Sequence, residues 1–314
     1  MKSQLRNAIS LVILSFNRRD EIEHTLPYLC YLREEHGFEL IVVDNASSDG
    51  SREFLLSLAP RFPSMRLILN SSNLGVASGR NAGWRLAQRE YILQLDDDLR
   101  IELMDLQKLC EVMDSNPGAG VLSPKIVHAQ TGISECDHGN SECEVANFHG
   151  ACHLVRRVVF QQVGEIDPLC AFGGEELDYS VRVRDSGFTV MYTPGVTVKH
   201  NSQIKKGHEG EWRRRMWVYN YTRVNFKHFP FNIAALFAFR YCVSHMISAV
   251  IHLGIQFASS LPWYALQGAR DGRRHHLDIS NDTCRFYINP QLRPEFGNVP
   301  IWRKLLLALA SWST

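Results

Sequence analysis

Residues Tyr91-Ile92-Leu93-Gln94-Leu95 run straight into three successive carboxylates, Asp96, Asp97 and Asp98. The apolar part reads as a strand buried on both faces. Pleating is expected to send Asp96 and Asp98 to one side of that strand and Asp97 to the other. Adjacent carboxylates repel, so the cluster does not serve stability. A hard divalent cation removes the repulsion, and carboxylate oxygens are what Mg²⁺ or Mn²⁺ prefers. A solvated acidic loop would account for a lone Asp pair. Placement at the carboxyl end of a buried strand, where open α/β sheets bind ligands, favours a metal site.

The chain before this stretch alternates strand and helix. Apolar, β-branched runs predict strands over 9–15, 38–43 and 65–69. Between them, Asp20 opens a helix with Ile22, Leu26 and Leu29 on one face, and a second helix carries Phe54, Leu55 and Leu58. A third helix is predicted over 76–88 and contains Arg80. Such alternation implies a parallel, right-handed α/β sheet. The loops after the first, second and fourth strands then leave one carboxyl edge. They carry the candidate nucleotide-binding residues Ser15, Asn17, Asp44, Asn45, Asp96 and Asp97. An edge lined by Asp residues, a cation and Arg80 suits a nucleoside diphosphate. G-x-x-x-x-G-K-[ST] is missing, and no G-x-G-x-x-G follows the first strand, so the phosphates would be held by the metal and not by a glycine cradle.

Beyond Asp98 the pattern predicts a helix over 104–113, a strand over 120–127, a polar irregular stretch at 129–147, a strand over 148–155 and a short helix over 156–163. Gly173-Gly174 then precedes Glu175, Glu176 and Asp178 at a helix start. Two short strands, 188–192 and 196–200, are expected on either side of Pro194-Gly195. A formal net charge of +1 over 314 residues disfavours a nucleic-acid partner. Eight cysteines in a chain this long do not make a disulfide scaffold. Cys136, His138, Cys143, His149 and Cys152 lack the C-x₂-C pair of a structural zinc site. The first residues lead directly into a strand pattern with no apolar signal core, so the catalytic part is expected to face the cytosol.

SLVILSFNRRDEIEHTL, IVVDNASSDGS, NLGVASGRNAGWRLA, YILQLDDD, FGGEELDYSVRVRDSGF and VTVKH follow one another as they do in family 2 glycosyltransferases. The resemblance spans roughly 8–228 and includes bacterial rhamnosyltransferase-like and polysaccharide-assembly members. It implies a GT-A fold: an α/β domain with a mostly parallel central sheet, helices on both faces and some mixed pairing. It also implies an inverting hexosyl- or deoxyhexosyltransferase using a UDP- or dTDP-linked sugar with Mn²⁺ or Mg²⁺. Carried over by position, Asp44 resembles the carboxylate that binds the base, Arg80 the nucleotide's partner, and Asp97 or Asp96 the ribose contact. Asp98 resembles the metal ligand, with Asp96 beside it. His200 matches a histidine that in some members closes over the metal; a strand-end surface histidine is the plainer alternative. Glu176 falls at the second position of the acidic pair that holds the general base. This chain has Glu-Glu where the family usually has Glu-Asp, so Glu175 and Asp178 remain candidates beside it.

From Glu209 the composition changes, and the chain is expected to divide into a catalytic domain, 1–228, and a helical region, 229–314. Trp212 to Tyr221 mixes basic and aromatic residues, and 231–266 is apolar with Arg240 its only formal charge. Pro262 interrupts this stretch near its end. The stretch either packs as a buried hairpin or meets an anionic membrane, and two helices lying in one leaflet fit its polar interruptions best. A last amphipathic helix is expected over 300–312. These features predict a peripheral protein at the inner face of the cell membrane, with a lipid-linked or polysaccharide acceptor. A nucleotidyltransferase would show a Gly-rich basic loop after the first strand, absent at 15–20. An inactive sugar-nucleotide or glycan-binding module would not need Asp98 and Glu176 intact.

Overall fold

The computed structural model describes residues 8–201 and 207–289. These divide into two compact units, 8–171 with 182–201, and 172–181 with 207–289.

The first unit is built on one sheet. Its first half follows the alternation: β1 (Ile9–Ser15), α1 (Arg19–His36), β2 (Glu39–Asp44), α2 (Ser51–Leu58), β3 (Met65–Leu69), α3 (Gly75–Trp84) and β4 (Tyr91–Asp96). All residues of β2 and all but one of β1 are buried, as the unbroken apolar runs require. β1 lies between β2 and β4, β2 pairs β3, and all three pairings are parallel. α3 lies tight on β1. A Cβ at Gly79 or Gly83, one turn apart, would fall inside contact distance of Leu14 or Val12. That close approach is what holds Arg80 against the sheet edge.

The second half is mixed. After β5 (Leu99–Arg100) and α4 (Leu103–Ser115) come β6 (Ala119–His128), β7 (Ser134–Cys136), β8 (Cys143–Glu144), β9 (Cys152–Arg156), α5 (Arg157–Val163) and β10 (Thr189–His200). The strand order is β3-β2-β1-β4-β9-β6-β10-β5. β9 enters antiparallel to both β4 and β6, whereas β10 runs parallel to β6. The two strands expected around Pro194-Gly195 form one, because the interruption is absorbed as a register shift between Thr193 and Thr197. The polar stretch 129–147 contains β7 and β8, which pair antiparallel at the margins of β6 and β10.

The second unit holds the first turns of α6 (Glu175–Asp185), then α7 (Gly207–His228), α8 (Phe231–Leu253), α9 (Ile255–Ala258), α10 (Leu261–Arg274) and α11 (Asn281–Ile288). α7, which the division at 228 grouped with the strands, packs here with α8 and α10. Val218, Cys242, Ala249, Phe257, Ala258 and Leu261 form its core. The apolar run is broken at Gly254, and Pro262 does not interrupt a helix: it sits in the first turn of α10, where its missing N–H costs nothing. α8 buries Ala234, Ala238, Cys242 and Ala249. It exposes Phe231, Leu236, Phe239 and Val250 instead, which inverts the usual sorting of large and small apolar residues. By length and composition, α8 alone among the described helices is long and apolar enough to cross a membrane. The helix expected over 300–312 lies outside the described residues.

Candidate active site

Three loops at the carboxyl edge of the first unit are tied together by side-chain amides. Asn17, at φ 52°, donates its backbone N–H to Ser47 Oγ at 2.9 Å, and its Oδ1 accepts from Ser48 N at 2.8 Å. Asn45 donates from Nδ2 to Asn73 Oδ1 at 2.9 Å and to Gly75 O at 3.2 Å. Its Oδ1 accepts from Asn70 Nδ2 and Leu74 N. Asn45 thus spends both side-chain polar atoms joining the β2 and β3 loops, and Asn17 joins the β1 loop to the β2 loop. Ser15 is fully buried beneath them. Asp44 is also buried, with Oδ2 accepting from Arg52 Nε at 2.8 Å and Oδ1 from Ser47 N at 3.2 Å. Nothing in the sequence singled out Arg52.

β4 ends at Asp96, so the pleat does not carry on through the acidic run. Asp97 and Asp98 lie in the turn before β5, and each carboxylate meets a different set of partners. Asp96 Oδ1 accepts from Arg80 Nη2 at 3.0 Å. Asp97 is buried, and burial, with Asp98 next in effect, pushes its carboxyl up to about 8. Asp98 Oδ2 lies 3.2 Å from Arg18 Nη1, and Oδ1 lies 3.0 Å from His200 Nε2. Burial opposes its charge, but the His200 ring and Arg18 hold it below the usual carboxylate range.

Backbone pairing brings His200 to this point. β5, directly after Asp98, pairs antiparallel with the end of β10 and aligns His200 with Leu99. Asn201 N then donates to Asp98 O at 2.9 Å. The other ring nitrogen, Nδ1, lies 2.5 Å from Glu135 Oε2. Burial disfavours the charged ring, yet Asp98 and Glu135 outweigh it and push His200 up to about 9. His149 stands edge-on to the His200 ring and is pushed down to about 4 by burial, then by that ring. Arg18 and Glu135 were not found from sequence. Arg18 is one of two adjacent arginines, and Glu135 sits in a stretch that matches no periodic pattern.

The donor set suits a divalent cation in part. A carboxylate and an imidazole converge, with His200 Nε2 3.0 Å from Asp98 Oδ1. Among the described residues no three His, Cys, Asp or Glu side chains are grouped to cage a metal.

The acidic turn belongs to the second unit. Gly173 and Gly174 have φ of 76° and 86°, and a Cβ on either would crowd Trp217 or Asn220 of α7. Asn220 Nδ2 donates to Phe172 O at 3.0 Å. Glu175 is buried and Glu176 half-buried. Burial, then the Glu176 carboxylate, holds the Tyr241 hydroxyl above its usual range, which puts Glu176 near α8. Asp178 is fully buried, with Oδ1 2.7 Å from both Lys227 Nζ and His228 Nε2.

The family model described as glycosyl transferase family 2 matches residues 10–149, from β1 to just before β9. An uncharacterized protein of Haemophilus influenzae is 32% identical over 184 residues, which is 53% of this chain and 96% of that protein. The chain belongs to glycosyl transferase family 2. This glycosyltransferase is also 23% identical over 220 residues to the low-salt glycan biosynthesis hexosyltransferase Agl10 of Haloferax volcanii, covering 62% of this chain and 68% of that one. Among solved structures, a mannosyltransferase of Pyrobaculum calidifontis, in complex with GDP-Man and Mn²⁺, aligns with TM-score 0.57 at 14% identity. The alignment covers 86% of this glycosyltransferase and 88% of that chain, and the shared fold is GT-A.

Proposed function

We propose that this glycosyltransferase moves a sugar from a UDP- or dTDP-linked donor to an acceptor hydroxyl with inversion, and that it does so at an anionic membrane surface. The observation that carries the reading is the pair of Asp98 and His200, 3.0 Å apart at the carboxyl edge of the sheet. Asp98 and His200 would hold a divalent cation, and the imidazole favours Mn²⁺ over Mg²⁺. When bound, the cation neutralises charge on the departing diphosphate. The similar mannosyltransferase was solved with GDP-Man and Mn²⁺.

Asp44 is the candidate for the nucleotide's base; Ser47 N and Arg52 Nε hold its buried carboxylate, so a base N–H would replace one of them. Arg80 faces the nucleotide. Of the two ribose candidates Asp96 is favoured, since its side chain is 32% exposed while Asp97 is buried. Glu176 is favoured as the base over Asp178. Lys227 Nζ and His228 Nε2 both lie 2.7 Å from Asp178 Oδ1, and contacts of this kind favour the Asp178 anion and make it a poor proton acceptor. As the acceptor oxygen bonds to the anomeric carbon, its proton passes to the Glu176 carboxylate. The bond from that carbon to the diphosphate oxygen breaks with its electron pair on the oxygen. One displacement inverts the configuration.

The exposed Phe231, Leu236, Phe239 and Val250 of α8 and Trp263 of α10 support membrane contact, with Arg273 and Arg274 closing α10. A lipid-linked acceptor, or a polysaccharide grown at that surface, fits this position.

The test is a panel of UDP- and dTDP-sugars scored for nucleotide release with Mn²⁺, with Mg²⁺ and with chelator, followed by the anomeric configuration of the product by NMR. Release should require metal, and Asp98→Ala should lower it by at least ~10². Metal-independent release, or an Asp98→Ala enzyme of full activity, would rule the reading out.

A further inference from the structure

Glu135 lies in β7, in the stretch between β6 and β9. Its neighbours Ser134 and Cys136 pair with Val127 and Ile126 of β6, and His128 N donates to Ile133 O at 2.8 Å. On the other side of β6, β10 aligns His200 with His128. One sheet therefore fixes the backbones of Glu135 and His200, and the β5 pairing adds Asp98. The side chains are partly buried, 22% exposed for Glu135 and 13% for His200, so the 2.5 Å contact is shielded from bulk water.

The two nitrogens of an imidazole point to opposite sides of the ring. Glu135 takes Nδ1, which leaves Nε2 directed at Asp98. A carboxylate behind a histidine fixes the tautomer and the ring rotation and raises the basicity of the free nitrogen. We infer that Glu135 is a positioning residue, holding the His200 ring so that Nε2 is presented with Asp98 to a divalent cation. The inference rests on the proposal that Asp98 and His200 hold that cation. It adds a residue that touches neither cation nor sugar donor and acts only through His200.

The role has a thermodynamic signature. A ligand acts on the metal directly, so its removal is felt whether or not His200 is present. A positioning residue acts through the ring, so its effect should vanish when the ring is gone. Mn²⁺ binding to the full chain, read from the EPR signal of free Mn²⁺ in the presence of UDP and separately of dTDP, measures this without turnover. Glu135→Gln, nearly the same shape, should weaken Mn²⁺ binding by about 10- to 100-fold, and Glu135→Ala by at least as much. In a His200→Ala background the same two substitutions should change affinity by less than about twofold. Circular dichroism melting of each variant checks that the fold is retained. If the unaltered protein binds Mn²⁺ through Asp98 and Glu135→Gln binds it equally well, the positioning role is wrong and the metal reading stands. If Glu135→Ala still weakens binding without His200, Glu135 is itself a ligand and the inference is overturned. If the unaltered protein binds no Mn²⁺ with either nucleotide, both readings fail together.

Discussion

The donor edge and the acidic turn both gather charge, and they hold it in opposite ways. At the donor edge each ion pair keeps one partner in partial contact with water: Asp96 is 32% exposed, Arg18 20% and Glu135 22%. Under the proposed function, these groups would exchange partners when a diphosphate and a cation arrive. Around the acidic turn, the side chains of Asp178, Lys227 and His228 are 0%, 8% and 1% exposed. Removing one of them strands the others in a medium that solvates charge poorly. The difference separates a set of charges suited to binding from a set that serves as framework, with the framework fastening α6 to the end of α7.

The largest effect should come from breaking the framework. Lys227→Met leaves Asp178 buried with one fewer cation and should cost about 3–5 kcal/mol in urea unfolding. Arg18→Gln at the donor edge should cost no more than about 1 kcal/mol by the same measurement. Equal losses would dissolve the distinction between the two regions.

Within the acidic turn, Glu176 and Asp178 should behave differently. Glu176→Gln should lower kcat by at least ~10² while leaving donor KM and the melting temperature near their original values. Asp178→Asn should lower the melting temperature. A Glu176→Gln enzyme of normal kcat, alongside a stable but inactive Asp178→Asn enzyme, would reassign the base.

The smallest effect concerns the membrane. The full chain should float with anionic vesicles and less with neutral ones, and salt should weaken the binding without abolishing it. Arg274→Gln should weaken it about fivefold, the effect of one charge near such a surface. Replacing exposed Phe239 by Ser should weaken it in salt as well, because that term follows buried apolar area. Flotation that ignores both substitutions would leave the exposed face of α8 to some other partner.

Much of the first unit was legible because its signals are local. The apolar runs of β1, β2 and β4 and the turn-forming residues after them act within about ten residues, and the parallel alternation gathers their ends on one edge. The resemblance carried Glu176 and His200, and the doublet Gly173-Gly174 marked the acidic turn. The antiparallel entry of β9 was harder to read, since a short run such as CHLVR carries no local mark of strand direction. The expected pleat of the acidic run failed for a local reason: the chain turns at Asp97 so that β5 can pair with β10.

By itself, then, the sequence determined the parallel strands of the first half, their order of appearance, the carboxyl edge where the acidic run begins at the end of β4, and the membership of a glycosyltransferase family. Only the tertiary structure decided which charges meet. Glu135 and His200 are 65 residues apart, and Asp178 and His228 are 50 apart. No periodicity reaches across such distances. The partners are chosen by strand register in one unit and by helix packing in the other, where burial makes an unmatched charge costly enough to select its neighbours.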